Sequence, residues 1–257
     1  MFTMSLSKSR IKYIRSLELK KNRKVEKVFL AEGYKLTDEL LARFPCRFLI
    51  ATSEWISQHP TLPVADVTEV TREELSRVSL LKAPQEVLGV FEQPFHAPDS
   101  SIVNHSLCLA LDDIQDPGNL GTIVRLADWF GIEHIFCSSN TVDVYNPKTV
   151  QATMGAIARI NIYYVHLPDF ITSLEKGTPV YGTFLDGENI YEKHLSEHGL
   201  IVMGNEGNGI SDEIARLINQ RLYVPNYPKE RETSESLNVA IATAVVCSEF
   251  RRQAALK

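Results

Sequence analysis

Leu107-Cys108-Leu109-Ala110-Leu111, followed after a polar turn by Asp116-Pro117-Gly118-Asn119-Leu120-Gly121-Thr122-Ile123-Val124-Arg125, is the stretch that decides the fold. Five unbroken apolar residues suit a strand buried on both faces, the usual state of a parallel-sheet strand covered by helices. The segment after the turn reads as a helix over 121–130, closed by Gly131, which accepts a left-handed helix terminus at no steric cost. That placement leaves Asn119 at or before the helix start. Strand, loop and helix form the unit of an open α/β sheet, and such sheets hold ligands in loops at their strand ends. The same arrangement recurs twice downstream. An apolar run over 200–203 precedes Gly204-Asn205-Glu206-Gly207-Asn208-Gly209, and a third over 222–224 precedes Pro225 and, further on, Ser236-Leu237-Asn238-Val239. Three such loops, all carrying Asn and the first two also rich in Gly, suggest one composite pocket.

Further apolar runs at 134–137, 160–165 and 180–184 extend this sheet. Val239, Ala242, Val246 and Phe250 form a helical stripe within a final helix over 236–252. The first part of the chain alternates differently, with strands at 28–30, 47–51 and 87–91 and helices at 32–42 and 72–81. Alternation on that scale indicates a small α/β/α sandwich. Between the two lies Gln93-Pro94-Phe95-His96-Ala97-Pro98-Asp99-Ser100-Ser101, read as a linker. The boundaries that follow are 1–95, a linker at 96–105, and 106–257.

The chain carries 257 residues, enough for two ordinary domains. No apolar run approaches the ~20 residues of a membrane span, so no membrane partner and a cytoplasmic location are expected. Cys46, Cys108, Cys137 and Cys247 contain no Cys-x-x-Cys pair, which argues against a metal and for reduced, buried thiols. The net charge of -5 is unevenly spread: residues 1–35 hold ten bases against three acids. Attraction to a polyanion acts over about a Debye length of ~8 Å, so local charge governs it. Lys8, Arg10, Lys12, Arg15, Lys20, Lys21, Arg23 and Lys24 are therefore candidates for RNA contact, against the plainer reading of a solvated helix face.

The 204–209 loop matches neither the dinucleotide fingerprint nor the P-loop, which counts against a nucleotide-binding oxidoreductase. Glu206 at its centre would repel a phosphate. A ligand without phosphate fits it better, and a tight turn using glycine for positive φ is the alternative. Ser211, with Asp212 and Glu213 behind it, reads as the cap of the next helix.

The three loops resemble the three motifs of the SpoU/TrmH group of the SPOUT superfamily, knotted RNA ribose 2′-O-methyltransferases, over residues 104–257. Residues 5–95, with the basic run from Ser9 to Lys24 and then Val28-Phe29-Leu30-Ala31-Glu32-Gly33, resemble the L30e-like substrate-binding domain of rRNA-modifying members. The resemblance implies a mostly parallel-sheet SPOUT domain with a C-terminal trefoil knot, a homodimer, and S-adenosylmethionine as cofactor. It implies a substrate in rRNA before tRNA, with a catalytically inactive RNA-binding or ribosome-assembly protein as the alternative. Carried over by position, Gly204, Val224 and Leu237 contact the cofactor, and Thr183, Met203 and Gly207 belong to its wall. Arg125 becomes the catalytic candidate, with Asn119, Glu206, Ser236 and Asn238 as a network orienting it and the ribose. A guanidinium with pKa above ~12 is a poor base, so a clamp on the flanking phosphate is preferred for Arg125. No cysteine is placed as a nucleophile, and Tyr145-Asn146-Pro147-Lys148 is not the Asn-Pro-Pro-Tyr of amine methylation. The chain departs from the family at 226–235, where the loop before Ser236 is longer and lacks the usual glycine.

Overall fold

The computed structural model describes residues 6–228 and 236–256. The chain divides into two units. The first runs up to Phe95 and takes in Asp143–Ala158; the second holds His96–Val142 and the chain from Arg159 onward.

In the first unit the elements are α1 (Lys8–Ser16), α2 (Lys20–Glu26), β1 (Val28–Glu32), α3 (Tyr34–Leu41), β2 (Cys46–Ala51), α4 (Ser53–Ser57), β3 (Val67–Glu69), α5 (Arg72–Val78) and β4 (Val87–Glu92). The sheet order is β1-β4-β2-β3, antiparallel except between β2 and β3. Side chains alternate across a strand. Val28, Leu30, Phe48, Ile50, Leu88 and Val90 face a core shared with Ile14, Leu17, Leu75 and Val78 of α1, its C-cap and α5. Leu49, Ala51 and Val87 face the opposite core with Trp55, Tyr34 and Leu41 of α4 and α3. Helices on both faces make the expected sandwich. The helix read over 72–81 ends earlier, at Val78, and a full capping box between Thr71 and Glu74 starts it.

Segment Asp143–Ala158 corrects the sequence reading, which gave all of 106–257 to one domain. It carries α7 (Pro147–Thr153), too short for periodicity to reveal, although Asn146 as cap and Pro147 at the first helical position were available as signals. Tyr145 packs on Phe29 with ring centroids 4.9 Å apart, and Asp143 pairs with Arg23. These contacts put the segment in the core of the first unit.

Glu32, at the end of β1, is buried. Ser79 Oγ donates to its Oε2 at 2.5 Å and the Leu80 amide to its Oε1 at 2.9 Å. Desolvation raises the carboxyl above its usual range, only partly offset by those hydrogen bonds. A carboxyl whose folded pKa is raised stabilises most below its unfolded value of about 4.3, and that stability is lost as pH rises through the folded pKa. Glu32→Gln keeps an acceptor for Leu80 and offers a donor to Ser79 without the charge. Its stability relative to wild type is expected to rise from pH 4 to pH 7, measured by urea unfolding; a pH-independent difference would contradict this account.

The second unit contains β5 (Leu107–Leu111), α6 (Pro117–Trp129), β6 (His134–Ser138), β7 (Asn161–Val165), α8 (Leu167–Thr172), β8 (Val180–Asn189), β9 (Gly199–Met203), α9 (Asp212–Ala215), β10 (Gln220–Tyr223) and α10 (Val239–Ala254). Its sheet order is β10-β8-β9-β5-β6-β7 and every pair is parallel, as the apolar runs predicted. Cys108, Ala110, Phe136, Val180, Leu200 and Val202 share a core with Leu167, Phe170 and Ile171 of α8 and Ile214 of α9. On the other face Tyr181 meets Phe250 of α10 edge-on at 4.8 Å, and α10 packs against α6. From β5 the chain goes one way to β6 and β7, whereas β9, β8 and β10 lie on the other side. The carboxyl ends of β5 and β9 therefore flank the topological switch point, where open sheets form a ligand crevice.

Candidate active site

The switch point is built by two loops and two helix starts. After β5, Asp116 caps α6: its Oδ1 accepts from the Asn119 amide at 2.8 Å, and Pro117 occupies the first turn. The helix thus begins four residues before the position read from sequence, and Asn119 lies inside its first turn. Asp116-Pro117 was the missed signal, because proline at the first helical position gives up no hydrogen bond.

After β9, Asn205 organises the second loop. Its Oδ1 accepts from the amides of Gly207 and Asn208 at 2.8 and 3.0 Å, and its Nδ2 donates to the Asp113 carbonyl at 2.8 Å. Asn205 and Gly209 exchange backbone hydrogen bonds at 2.9 Å, closing the loop. The Ser211 amide donates to Asp112 Oδ2 at 2.8 Å, so Ser211 precedes α9 without a side-chain cap bond. Of the glycines in this loop only Gly209 has positive φ, +69°. Gly204 is required for another reason: a Cβ there would lie 2.2 Å from the Gly209 carbonyl carbon. The loop is folded back on its own start, more than a simple turn needs.

Three of the sequence-predicted residues meet here. Asn238 caps α10, its Oδ1 accepting from the amides of Ala240 and Ile241 at 3.0 and 3.3 Å. The helix read from 236 accordingly starts at Val239. With its oxygen taken, Asn238 turns Nδ2 outward and donates to Asn119 Oδ1 at 3.0 Å. Asn119 in turn donates through Nδ2 to Glu206 Oε1 at 2.7 Å. Each amide has one oxygen and one NH2, so the cap on α10 sets the orientation of the whole chain of bonds. Residues 87 and 119 positions apart are joined by it.

The others lie around this trio. Arg125 is exposed on α6, six residues and about 9 Å of helix rise beyond Asn119. Among the described residues neither Arg125 nor the exposed Ser236 is hydrogen-bonded to the trio. Gly204 is buried at the end of β9, Gly207 is exposed, and Val224 is half-buried just past β10. Leu237 is 50% exposed beside the α10 cap. Thr183 is half-buried where β8 parts from β9. Met203 is core, and its carbonyl accepts from the Asp112 amide at 2.9 Å. Of the longer loop 226–235, residues 229–235 lie outside the described residues.

Among the basic candidates, Lys8, Lys12, Lys20, Lys21 and Lys24 are exposed. Arg10 lies over the Phe48 ring and pairs with Asp66, and Arg15 donates to the Arg77 carbonyl. Arg23 is a correction. It is 1% exposed and spends its guanidinium on Asp143 and the carbonyls of Leu17 and Glu18, so it has no surface left for RNA. Its position in a run of lysines hid this, because a distant carboxylate is invisible to composition.

Burial pushes the thiols of Cys46, Cys108 and Cys247 up to about 12, so none offers a thiolate nucleophile near neutral pH. Among the described residues there is no group of His, Cys, Asp or Glu suited to a metal, and no helix is long and apolar enough to cross a membrane. A cavity of about 750 Å³ lies elsewhere, in the first unit, lined by Tyr34, Lys35, Gln85, Gln151 and Met154 among others. None of the residues predicted for cofactor or catalysis lines it.

The chain is similar to known proteins along nearly its whole length. A 23S rRNA (guanosine(2553)-2′-O)-methyltransferase of Bacillus subtilis is 30% identical over 254 residues, covering 96% of this chain and 98% of the relative. The structure of a rRNA methyltransferase from Sinorhizobium meliloti with bound AdoMet superposes with a TM-score of 0.83 at 32% identity, covering 97% of this chain and 96% of that one. A TrmH-family structure from Porphyromonas gingivalis reaches a TM-score of 0.88 at 42% identity, covering 97% and 100%. Residues 8–89 match the MRM3-like substrate binding domain. Residues 106–248 match the SpoU rRNA Methylase family, and the chain belongs to it.

Proposed function

We propose that the chain transfers a methyl group from S-adenosylmethionine to a ribose 2′-hydroxyl of rRNA. The observation that carries this reading is the Asn238–Asn119–Glu206 network at the switch point, in a chain similar along its length to a 23S rRNA 2′-O-methyltransferase. The site suits such a cofactor electrostatically. Its loops contribute Asp112, Asp113, Asp116 and Glu206, and no basic side chain occurs in 204–209. A phosphate would be repelled there, whereas a sulfonium cation would be favoured.

Gly204, Gly207, Val224 and Leu237 would hold the cofactor, with Thr183 and the end of β9 as wall. When bound, S-adenosylmethionine supplies an electrophilic methyl on sulfur. The 2′-oxygen must reach that methyl in line and release its proton, and holding such geometry supplies much of the acceleration. Asn119 and Glu206 are fixed at the helix start where that alignment would occur. Arg125, exposed and free of ion pairs with the described residues, clamps the phosphate beside the target ribose. The exposed lysines of α1 and α2 would hold structured RNA through its backbone.

The active form is a homodimer in this reading. α6 and α10 pack together, yet leave Trp129 84% and Ile241 55% exposed. Trp129 lies four residues past Arg125, on the same helix face, so a second copy covering it would also approach Arg125. Sedimentation at micromolar concentration is expected to give about twice the chain mass of 28.9 kDa; a monomer that methylates RNA would contradict this part. The family's trefoil knot belongs to the same proposal, supported by β10 lying at the far edge beside β8 while α10 returns to α6.

The test is transfer of labelled methyl to RNA from a strain lacking the gene, followed by mapping of the product. Label on a ribose 2′-oxygen of rRNA supports the reading; label on tRNA, or on a base, would overturn the substrate assigned. Cofactor binding and label both failing with every RNA would favour an inactive RNA-binding protein.

A further inference from the structure

β8 leaves both neighbours at one point. Gly182 is its last residue paired with β9, opposite Val202, and it also pairs with Arg221 of β10. The next residue of β10, Leu222, pairs with Glu188. Residues 183–187 are therefore looped out of the sheet with no partner on β10. They emerge level with the end of β9, just before the 204–209 loop.

Several contacts hold this bulge. A Cβ on Gly182 would come within 2.9 Å of the Phe184 ring and 3.0 Å of Ile210 Cδ1. Phe184 thus folds back over its own strand and converges there with Ile210, the residue that follows the 204–209 loop. Arg221 lies on the Phe184 ring, Cζ 3.5 Å from the centroid, and its Nη2 donates to Asp186 Oδ1 at 2.6 Å. At the far end, a Cβ on Gly187 would lie 2.4 Å from the Leu222 backbone. The bulge is pinned at its start by side chains packed on Gly182, at its end by the Leu222 backbone against Gly187, and in its middle by Arg221.

The Arg221–Asp186 pair is 41% and 74% exposed. Exposed pairs are screened and add little to global stability. A planar guanidinium that stacks and hydrogen-bonds together does more for orientation, since it fixes a ring and a carboxylate at once. Its effect is therefore local to the conformation of 183–187.

We propose that Arg221 is a positioning residue for the cofactor: through Phe184 and Asp186 it fixes the 183–187 bulge, so that Thr183 stands as a wall beside the 204–209 loop. The inference rests on the reading of that loop as the S-adenosylmethionine site. A bulge already ordered costs nothing to order on binding, whereas a loosened one takes that cost from affinity.

Calorimetric titration of S-adenosylmethionine into the full chain, with steady-state methyl transfer and melting alongside, tests it. Arg221→Ala is expected to raise Kd and KM about fivefold, roughly 1 kcal/mol by the relation of 1.4 per tenfold. It should leave kcat within about twofold and the melting temperature nearly unchanged. Phe184→Tyr keeps the ring face and should match wild type. Arg221→Lys keeps charge without the planar stack and should fall between. An unchanged Kd in Arg221→Ala would overturn the proposal, and so would a fall in kcat and melting temperature parallel to that in affinity, which marks a merely structural role. If wild type itself does not bind S-adenosylmethionine, it is the assignment of the site that fails. If wild type binds and Arg221→Ala binds equally, only the role of Arg221 fails.

Discussion

Arg125→Ala is expected to lower methyl transfer by about 10²–10³-fold, the range for loss of one preorganised charge-stabilising group, while S-adenosylmethionine binds within about twofold of wild type. The asymmetry follows from placement. Arg125 is exposed on α6 and takes no part in the Asn238–Asn119–Glu206 network, so its removal leaves the loops intact. Arg125→Lys separates clamp from base. A clamp loses activity on this change, because lysine cannot match a phosphate with two parallel donors. A base would tolerate it and show a lower pH limit, since a lysine deprotonates near 10.4 and arginine above about 12. Single-turnover rates from pH 7 to 10 for wild type and both variants distinguish the two. Full activity in Arg125→Ala would remove Arg125 from the mechanism altogether.

Asp143→Ala carries the largest expected loss of stability, about 3–5 kcal/mol, the cost of stranding a buried charge. Arg23 is held by Asp143 Oδ2 at 2.6 Å from Nη2 and 3.2 Å from Nε, and by two backbone carbonyls. Carbonyls satisfy hydrogen bonds without neutralising the cation, so the arginine would stay charged in a place closed to water. Replacing both partners, as Arg23→Met with Asp143→Leu, is expected to cost less than Asp143→Ala alone, because no ion then remains. Urea unfolding of the three proteins checks this. A loss under about 1 kcal/mol for Asp143→Ala would mean that water reaches Arg23 in the folded chain.

The same arginine shows how far the linear chain can be read. Burial on both faces of β5 and β9 was legible because an unbroken apolar run has one economical placement, inside a covered parallel sheet. The loops at the ends of those strands were legible as a candidate site because their residues form recognisable motifs at set spacing. Helix starts were less so: Asp116 and Asn146 cap helices through side-chain bonds within three residues, short signals overlooked beside stronger periodicity. Arg23 resembled its lysine neighbours, since nothing local distinguishes it.

By itself, the sequence determined most strands of both units, though not β3, together with α3, α5, α6 and α10 to within a few residues, the parallel character of the second sheet and the loops that carry its motifs. All of these depend on side-chain period and on residue type within a short window. Only the tertiary structure decided that Arg23 is buried against Asp143, that Tyr145 completes the core over Phe29, and that Asn119 bridges Glu206 and Asn238. Each of these joins positions roughly a hundred residues apart. Such a pair forms when two apolar faces exclude water and bring its polar groups together, a condition set by the whole packed fold rather than by any segment of it.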